Sequence, residues 1–319
     1  MEVSLPEGLR RRPVRTRPDL CSLLWLACVM LLGCAVPIMA QETGPNSASA
    51  RDSSSAATSS GWDLGPPGQV YPLYLADPRR PQTNAGVLHV LSSDLNDEFG
   101  SGHVRTTLSL GGRVPVVRYT GSGVQAWEFS VEGAFFGFFD ASQSLENIGW
   151  DGWYGFLFSW RFARSWSTKL HYRHLSSHLG DEFIERTGRD RIGYTREDFT
   201  LGLAWEPLPG ATVYGEGGVG IHDGAGRQEA GYFQFGAQYR DDDPILWDIF
   251  DWQVGTDFQL YQEDDYRPGF TVQGALLVPM GRQGQQFRLA LEYHNGRVLI
   301  GELSEFSEDY FALIFAWDF

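Results

Sequence analysis

The chain has only three cysteines and a single lysine, and its shortage of cysteine and of basic residues excludes several kinds of binding site. All three cysteines (Cys21, Cys28 and Cys34) fall inside the apolar segment 20–40, so a chain that loses this segment has no thiol. Disulfide bonds and cysteine-ligated metals are then excluded. Acidic residues outnumber basic ones, 40 to 25, for a formal net charge of −15. Duplex nucleic acid is excluded as a partner, because binding its phosphates requires a basic surface.

Long apolar runs are absent after residue 40, so no later segment is a candidate membrane helix. Residues 1–40 have the pattern of a secretory signal peptide. Five arginines precede an apolar stretch over 20–36, and the segment ends at the small residue Ala40. An uncleaved anchor, or lipidation at Cys34, are the alternatives. Cleavage after Ala40 removes five arginines and three acidic residues, which takes the net charge to −17.

The segment 41–84 differs in composition from everything that follows. Residues 41–68 are rich in Ser, Ala, Gly and Pro, which predicts a disordered tether. Residues 70–81 are apolar and aromatic and contain three prolines, so they are a candidate to lie against or inside the next domain. The predicted organisation is a signal peptide at 1–40, a tether at 41–84 and one folded domain at 85–319.

Strict alternation begins near residue 85 and continues to the last residue. In the final segment Phe311, Leu313, Phe315, Trp317 and Phe319 alternate with Ala312, Ile314, Ala316 and Asp318. A period of two predicts β-strands. About twelve are expected, at 86–94, 103–119, 124–138, 152–163, 166–178, 197–206, 211–222, 229–240, 250–261, 268–279, 285–295 and 309–319. The glycine-rich stretch 111–115 is also readable as a turn, and 241–250 as a short interfacial helix.

The pattern favours a membrane barrel over a soluble β-sandwich. The strands reach the ten or so residues that cross a bilayer at a tilt, aromatic residues recur near strand ends, and short connections alternate with long polar ones. The ending with Phe319 resembles the C-terminal signal of bacterial outer-membrane barrels. This resemblance implies the outer membrane of a Gram-negative-type bacterium, periplasmic termini, and recognition of Phe319 by the barrel-assembly machinery. The predicted fold class is all-β, a transmembrane antiparallel barrel of about twelve strands.

One strand carries a candidate catalytic pair. In the strand 166–178 the outward positions change from aromatic to polar, so His174 and Ser176 are expected to face lipid at the outer end. Two residues apart on one face, an imidazole is close enough to activate a hydroxyl. An orienting carboxylate or amide is then needed, and the carboxylates that follow are Asp181, Glu182, Glu185, Asp190, Glu197 and Asp198.

The His-x-Ser segment resembles outer-membrane phospholipase A and, more loosely, the lipid A deacylases. That resemblance implies an acyl ester hydrolase in which Ser176 is the nucleophile, His174 the base and Asp190 the orienting residue. It also implies calcium, with Ser177, Asp181 and Asp198 as oxygen ligands. Membrane lipids are then the substrates, and a second copy of the chain is a candidate partner. The stretch also resembles a motif of an uncharacterised exported family, which implies no function.

A non-enzymatic barrel is the alternative function, either as a pore or as a structural protein. The predicted inward face carries charges of both signs, at Glu128, Glu132, Arg161, Lys169, Arg173, Glu206, Glu216, Arg240, Asp257, Arg288 and Glu292. Arginine is nearly the sole basic residue type, and its planar group pairs well with carboxylates. This composition favours a packed lumen over an open channel.

Overall fold

The computed structural model describes residues 60–224, 231–245, 249–280 and 285–318. These contain the strands β1 (Gly61–Leu64), β2 (Thr83–Ser93), β3 (Val104–Thr120), β4 (Ala126–Asp140), β5 (Glu146–Ala163), β6 (Trp166–Leu179), β7 (Thr195–Trp205), β8 (Ala211–Asp223), β9 (Gly231–Ile245), β10 (Phe250–Tyr261), β11 (Gly269–Pro279), β12 (Gln286–Arg297) and β13 (Ser307–Asp318). Two short helices are α1 (Asp94–Phe99) and α2 (Asp181–Thr187), and single 3-10 turns lie at Ala141–Gln143, Gln262–Asp264 and Gly301–Leu303.

Strands β2 to β13 form a closed antiparallel barrel. Each pairs with its neighbour in sequence, and pairing of β13 with β2 closes the ring. The prediction of a twelve-stranded barrel is confirmed, and every predicted strand overlaps an observed one. The extra strand β1 pairs with the end of β3 that β2 does not reach, with Gly61 opposite Thr120. In the described part of the chain, no helix is long and apolar enough to span a membrane.

Alternation places apolar side chains outside and polar ones inside. Leu201 and Leu291 on the outer wall are 64% and 68% exposed, whereas the charged Arg105 and Asp198 on the inner wall are 0% exposed. A soluble protein has the reverse distribution, so the outer wall is built for lipid. Aromatic pairs lie on neighbouring strands near one end of the wall, including Trp127 with Trp160, and Trp166 with Trp205. Such belts are typical of the interface between lipid and water.

The two ends of the barrel differ. Short connections such as 121–125 and 164–165 lie at the end where β2 starts and β13 finishes, called here the turn end. The opposite end, the loop end, carries α1, α2 and the turn at Gly301–Leu303. Their apolar side chains, including Leu95, Phe183 and Leu303, pack into one cluster and are fully buried. The loop end therefore has a small apolar core of its own.

The predicted strand at 103–119 is confirmed over its alternative, and the predicted helix at 241–250 is corrected. Residues 111–115 do not turn but continue β3, which has an irregularity between Pro115 and Val117. Proline has no N–H to donate, so a bulge at this point avoids losing a ladder bond. Residues 241–245 continue β9 instead of starting an interfacial helix, because Ile245 still pairs with Phe250. Residues 246–248 lie outside the described residues.

The segment 66–82 lies inside the barrel, as a plug. Tyr71, Tyr74 and Ala76 are 1%, 5% and 0% exposed. The Leu75 N–H donates to the Gln238 side chain at 2.8 Å, and the Gln238 amide donates to the Leu73 carbonyl at 2.9 Å. These residues, and those of β1, lie within the predicted tether at 41–84. The plug is ordered because its aromatic rings and backbone groups find partners on the inner wall, whereas the exposed β1 is ordered by its pairing with β3.

Some predictions concern residues that are not described. The signal peptide at 1–40, the tether up to residue 59 and the terminal Phe319 all lie outside the described residues. Cleavage after Ala40 and recognition of Phe319 by the assembly machinery therefore stay predictions.

Candidate functional site on the outer wall

The candidate site lies on the outer face of β6, close to the loop end. The inward positions of this strand end with Leu175, Ser177 and Leu179, all buried. His174, Ser176 and His178 alternate with them and are half-buried on the outside. The prediction that His174 and Ser176 share the lipid-facing wall agrees with this placement. His178, on the same face, was not singled out by the sequence.

Ser176 lies in a notch of the outer wall. Its cross-strand neighbours are Gly152 on β5 and Thr195 on β7. A side chain at Gly152 would meet no atom closer than 3.6 Å, so the space beside the serine is open. The rows on either side are bulky, with Trp150 opposite His178 and Tyr154 opposite His174. The hydroxyl is thus approachable from the lipid side between two aromatic rows.

His174 has a carboxylate partner on the neighbouring strand. Its Nδ1 lies 3.4 Å from Oε1 of Glu197, the residue directly opposite in the β6–β7 pairing. The ring stacks on Tyr154 with a centroid distance of 4.7 Å, and the Tyr172 hydroxyl lies close to Glu197. The distance is long for a hydrogen bond, as is common in catalytic pairs without substrate. The imidazole is oriented by stacking on one side and by a carboxylate at Nδ1.

Ser176 hydrogen-bonds to a different histidine. Its Oγ lies 3.2 Å from Nε2 of His178, and Nη2 of Arg191 lies 2.5 Å from Nδ1 of the same ring. Trp150 stacks on His178 with a centroid distance of 4.2 Å. The serine therefore has an imidazole two residues before it and another two residues after it.

Asp190 does not reach the site. It is exposed in the loop after α2, and in the described part of the chain it makes no hydrogen bond or ion pair. Glu197, another of the six carboxylates considered from the sequence, is the one that lies beside His174. The reason is register: β7 begins at Thr195 opposite Ser176, which places Glu197 beside His174.

The three residues predicted to bind calcium do not come together. Ser177 points inward and its Oγ accepts the Glu302 N–H at 2.9 Å. Asp198 is also inward, four positions away opposite Arg173, and ion-pairs with Arg173 and Arg196 at 2.7 Å each. Asp181 is exposed in the first turn of α2. These residues do not fit a shared cation, and no other metal-binding group of three His, Cys, Asp or Glu occurs in the described ranges.

The lumen beneath the site is filled. The plug places the Tyr74 hydroxyl 2.7 Å from Oε2 of Glu216, to which Lys169 also pairs at 2.6 Å. Other predicted inward charges are paired along the inner wall, mostly with a residue of the adjoining strand, as in Arg113 with Glu132, Arg118 with Glu128, Arg161 with Glu206, and Arg288 with Asp318. One cavity left between the plug and the wall measures about 50 Å³. The packed lumen expected from the arginine-rich composition agrees with this arrangement.

Fold and wall together define an outer-membrane-type β-barrel. Within that class the chain belongs to the family described as a protein of unknown function, DUF1207, whose model matches residues 37–319. A search of curated protein sequences finds no match.

Solved structures with similar folds include outer-membrane phospholipase A of Escherichia coli. It is 11% identical, with a TM-score of 0.53, over 74% of this chain and 93% of that one. A calcium-bound dimer of the Salmonella typhi enzyme is 14% identical, with a TM-score of 0.53, over 75% and 93%. An active-site asparagine-to-alanine variant of the Escherichia coli enzyme is 10% identical, with a TM-score of 0.52, over 78% and 93%. At such identities the likeness shows the fold alone.

Proposed function

We propose that the protein is a lipid-facing acyl ester hydrolase, with Ser176 as nucleophile, His174 as base and Glu197 as the orienting carboxylate. The observation that carries the proposal is the position of Glu197 at Nδ1 of His174, on the lipid side of the wall and beside an approachable serine. Polar side chains on a lipid-facing wall are unfavourable, and those that occur are commonly functional. The likeness to phospholipase A is a likeness of fold, and adds support only as an analogy.

The chemistry follows from the order of the three groups. Ser176 Oγ attacks the carbonyl carbon of an ester while its proton moves to Nε2 of His174. The imidazolium then gives this proton to the departing alcohol, and an acyl-serine is left. Water attacks the acyl-serine with His174 again as base, releasing the fatty acid and restoring the hydroxyl. Glu197 keeps the ring in the tautomer whose Nε2 is free to accept.

The proposal includes an orientation in the membrane. With the turn end and both termini in the periplasm, the site lies at the outer leaflet, where long loops are typical of outer-membrane barrels. The substrates are then outer-leaflet lipids with acyl esters, either phospholipids or lipid A. A homodimer is part of the same proposal, by analogy with the dimeric Salmonella typhi enzyme. Sedimentation of the purified protein in detergent tests the dimer.

Substitution of the nucleophile is the direct test. The purified protein in detergent should release fatty acid from a phospholipid or from lipid A, measured by mass spectrometry, and Ser176→Ala should abolish this release. A fluorophosphonate probe should label the wild type and not the variant, whatever the natural lipid is. Thr168→Ala is the matched control, because Thr168 is outward on the same strand but eight residues away. Folding of each variant is checked by its migration in unboiled gels.

The contrary outcomes are clear. Undiminished hydrolysis or labelling in Ser176→Ala overturns the assignment of the nucleophile. A wild type that neither hydrolyses lipid nor reacts with the probe, with and without calcium, overturns the enzyme and favours a structural barrel. The packed lumen argues against the pore alternative, since ion flow needs a continuous water path. Steady single-channel current from the wild type in planar bilayers would instead favour the pore.

A further inference from the structure

The two imidazoles that flank Ser176 have partners of opposite charge. Nδ1 of His174 faces the Glu197 carboxylate, whereas Nδ1 of His178 faces the Arg191 guanidinium. Both rings are on the same side of β6, and each is stacked on an aromatic residue of β5. Both rings pack against β5, but on the other side His174 faces β7 and His178 faces the loop before it, and this is how the charge at Nδ1 comes to differ.

The partner at Nδ1 decides where a neutral imidazole carries its proton. An ionised carboxylate only accepts, so His174 carries its proton on Nδ1 and leaves Nε2 as an acceptor. A guanidinium only donates, so His178 must accept at Nδ1 and carries its proton on Nε2. The Nε2–H of His178 then donates to Ser176 Oγ, 3.2 Å away. A serine that accepts from His178 keeps its own proton free for His174.

We infer that His178 is a hydrogen-bond donor that positions the Ser176 hydroxyl, and that Arg191 is the residue that fixes His178 in this role. This inference rests on the proposed function for its catalytic consequence. The two histidines, equally spaced from the serine, then have different roles. His174 accepts the proton of the Ser176 hydroxyl, and His178 donates a hydrogen bond to Ser176 Oγ. Arg191 acts through His178 and is a positioning residue.

Arg191 is itself held in place from the loop end. Its Nε lies 3.7 Å from Oε1 of Glu302, a carboxylate with no exposed surface. Glu302 in turn accepts the backbone N–H groups of Ile192 and Gly193 at 2.8 Å and 3.0 Å. The loop that carries Arg191 is thus tied to a buried anion, and the guanidinium bridges this anion and the imidazole. The Arg191 side chain is 45% exposed, so this tie to Glu302 is what restricts where its guanidinium lies.

The tautomer of His178 can be read without any enzyme assay. The full mature chain, labelled with ¹⁵N-histidine in detergent micelles, gives different nitrogen shifts for the two neutral tautomers, and His178→Gln assigns the signals. The wild type should have the proton of His178 on Nε2, and Arg191→Met should introduce the Nδ1–H form. Arg189→Met is the matched control, because Arg189 lies in the same loop but pairs with Glu305. A wild-type Nδ1–H form, or an Arg191→Met spectrum like the wild type, overturns the inference.

Kinetics test the consequence for the serine. His178→Ala should lower kcat by about 10-fold to 100-fold with little change in KM, since a misplaced nucleophile slows the chemical step. His178→Gln should recover much of this loss, because its amide can still donate, and Arg191→Met should fall between the two. Wild-type kcat in His178→Ala overturns the positioning role while leaving the proposed hydrolase intact. An inactive wild type overturns the hydrolase, whereas the NMR result still decides the tautomer by itself.

Discussion

At the scale of single residues, the register of β6 and β7 decides which carboxylate lies beside Nδ1 of His174. Asp190 and Glu197 are close in sequence, but Asp190 is exposed in a loop and Glu197 faces Nδ1 of the imidazole. Orientation of a base requires contact at the right nitrogen, which composition and spacing do not provide. Substituting Glu197 and Asp190 in turn therefore tests which of the two orients His174.

Glu197→Ala should lower kcat for lipid hydrolysis, by about 10-fold or more, because His174 loses the group that fixes its tautomer. Asp190→Ala should leave kcat unchanged. Glu197→Gln should retain part of the activity, since its amide oxygen can still accept from Nδ1. All three are measured by fatty-acid release at saturating substrate. If Asp190→Ala is the variant that loses activity, the orienting role assigned to Glu197 is wrong.

At the scale of elements, the loop end is organised around a buried anion. Glu302 in the 3-10 turn at Gly301–Leu303 accepts two backbone N–H groups of the segment before β7 and lies near Arg191. The N–H of Glu302 itself donates to Ser177 on β6, and Asp151 of β5 accepts from Gly301. One short turn thus joins three separate parts of the barrel rim.

Glu302→Ala should loosen the loop 188–194 without unfolding the barrel. Its removal takes the acceptor from the N–H groups of Ile192 and Gly193, a loss of about 1 kcal/mol each because water can reach this part of the loop. Hydrogen exchange at these two amides should become much faster, and trypsin should cut after Arg189 or Arg191. Glu305→Ala is the control, because Glu305 is a more exposed partner of Arg189 in the same loop end. Unchanged exchange at both amides would contradict this role for Glu302.

The strands could be predicted from sequence and the loop contacts could not. Along a barrel strand every residue faces either lipid or lumen. The two-residue period of the sequence is therefore enough to assign each side chain to one face. The contact between Arg191 and His178 has no such pattern, because it depends on the path of the chain through α2. Glu197 could not be chosen over Asp190 from the sequence for the same reason, since loop residues had to be counted before the register of β7 was known. The plug was only suggested, because its aromatic residues do not alternate.

At the scale of the whole molecule, the lumen is closed by the chain's own N-terminal segment. The plug reaches from the turn end to the loop end. There, Nη1 of Arg79 donates to the Leu299 carbonyl at 2.6 Å, and Nη2 pairs with Asp151 at 2.5 Å. Asp77 accepts from Gln259, whose amide also donates to Asp257. Hydrogen bonds thus join the plug to the inner wall and to the loop end. The strands that carry the outer-wall site are therefore packed against a filled lumen.

Deleting residues 66–82, and joining β1 to β2 through a short glycine-serine linker, should convert the closed barrel into a channel. A twelve-stranded barrel is wide enough for water once its interior is vacated, and the remaining ion pairs stay on the wall. Steady current in planar bilayers is expected from the deletion and silence from the wild type. Arg79→Ala is a milder variant that keeps the plug but frees its tip from Leu299 and Asp151, and it should give brief, infrequent openings. If the deletion folds and remains silent, the wall side chains close the lumen by themselves, and the plug has a different role.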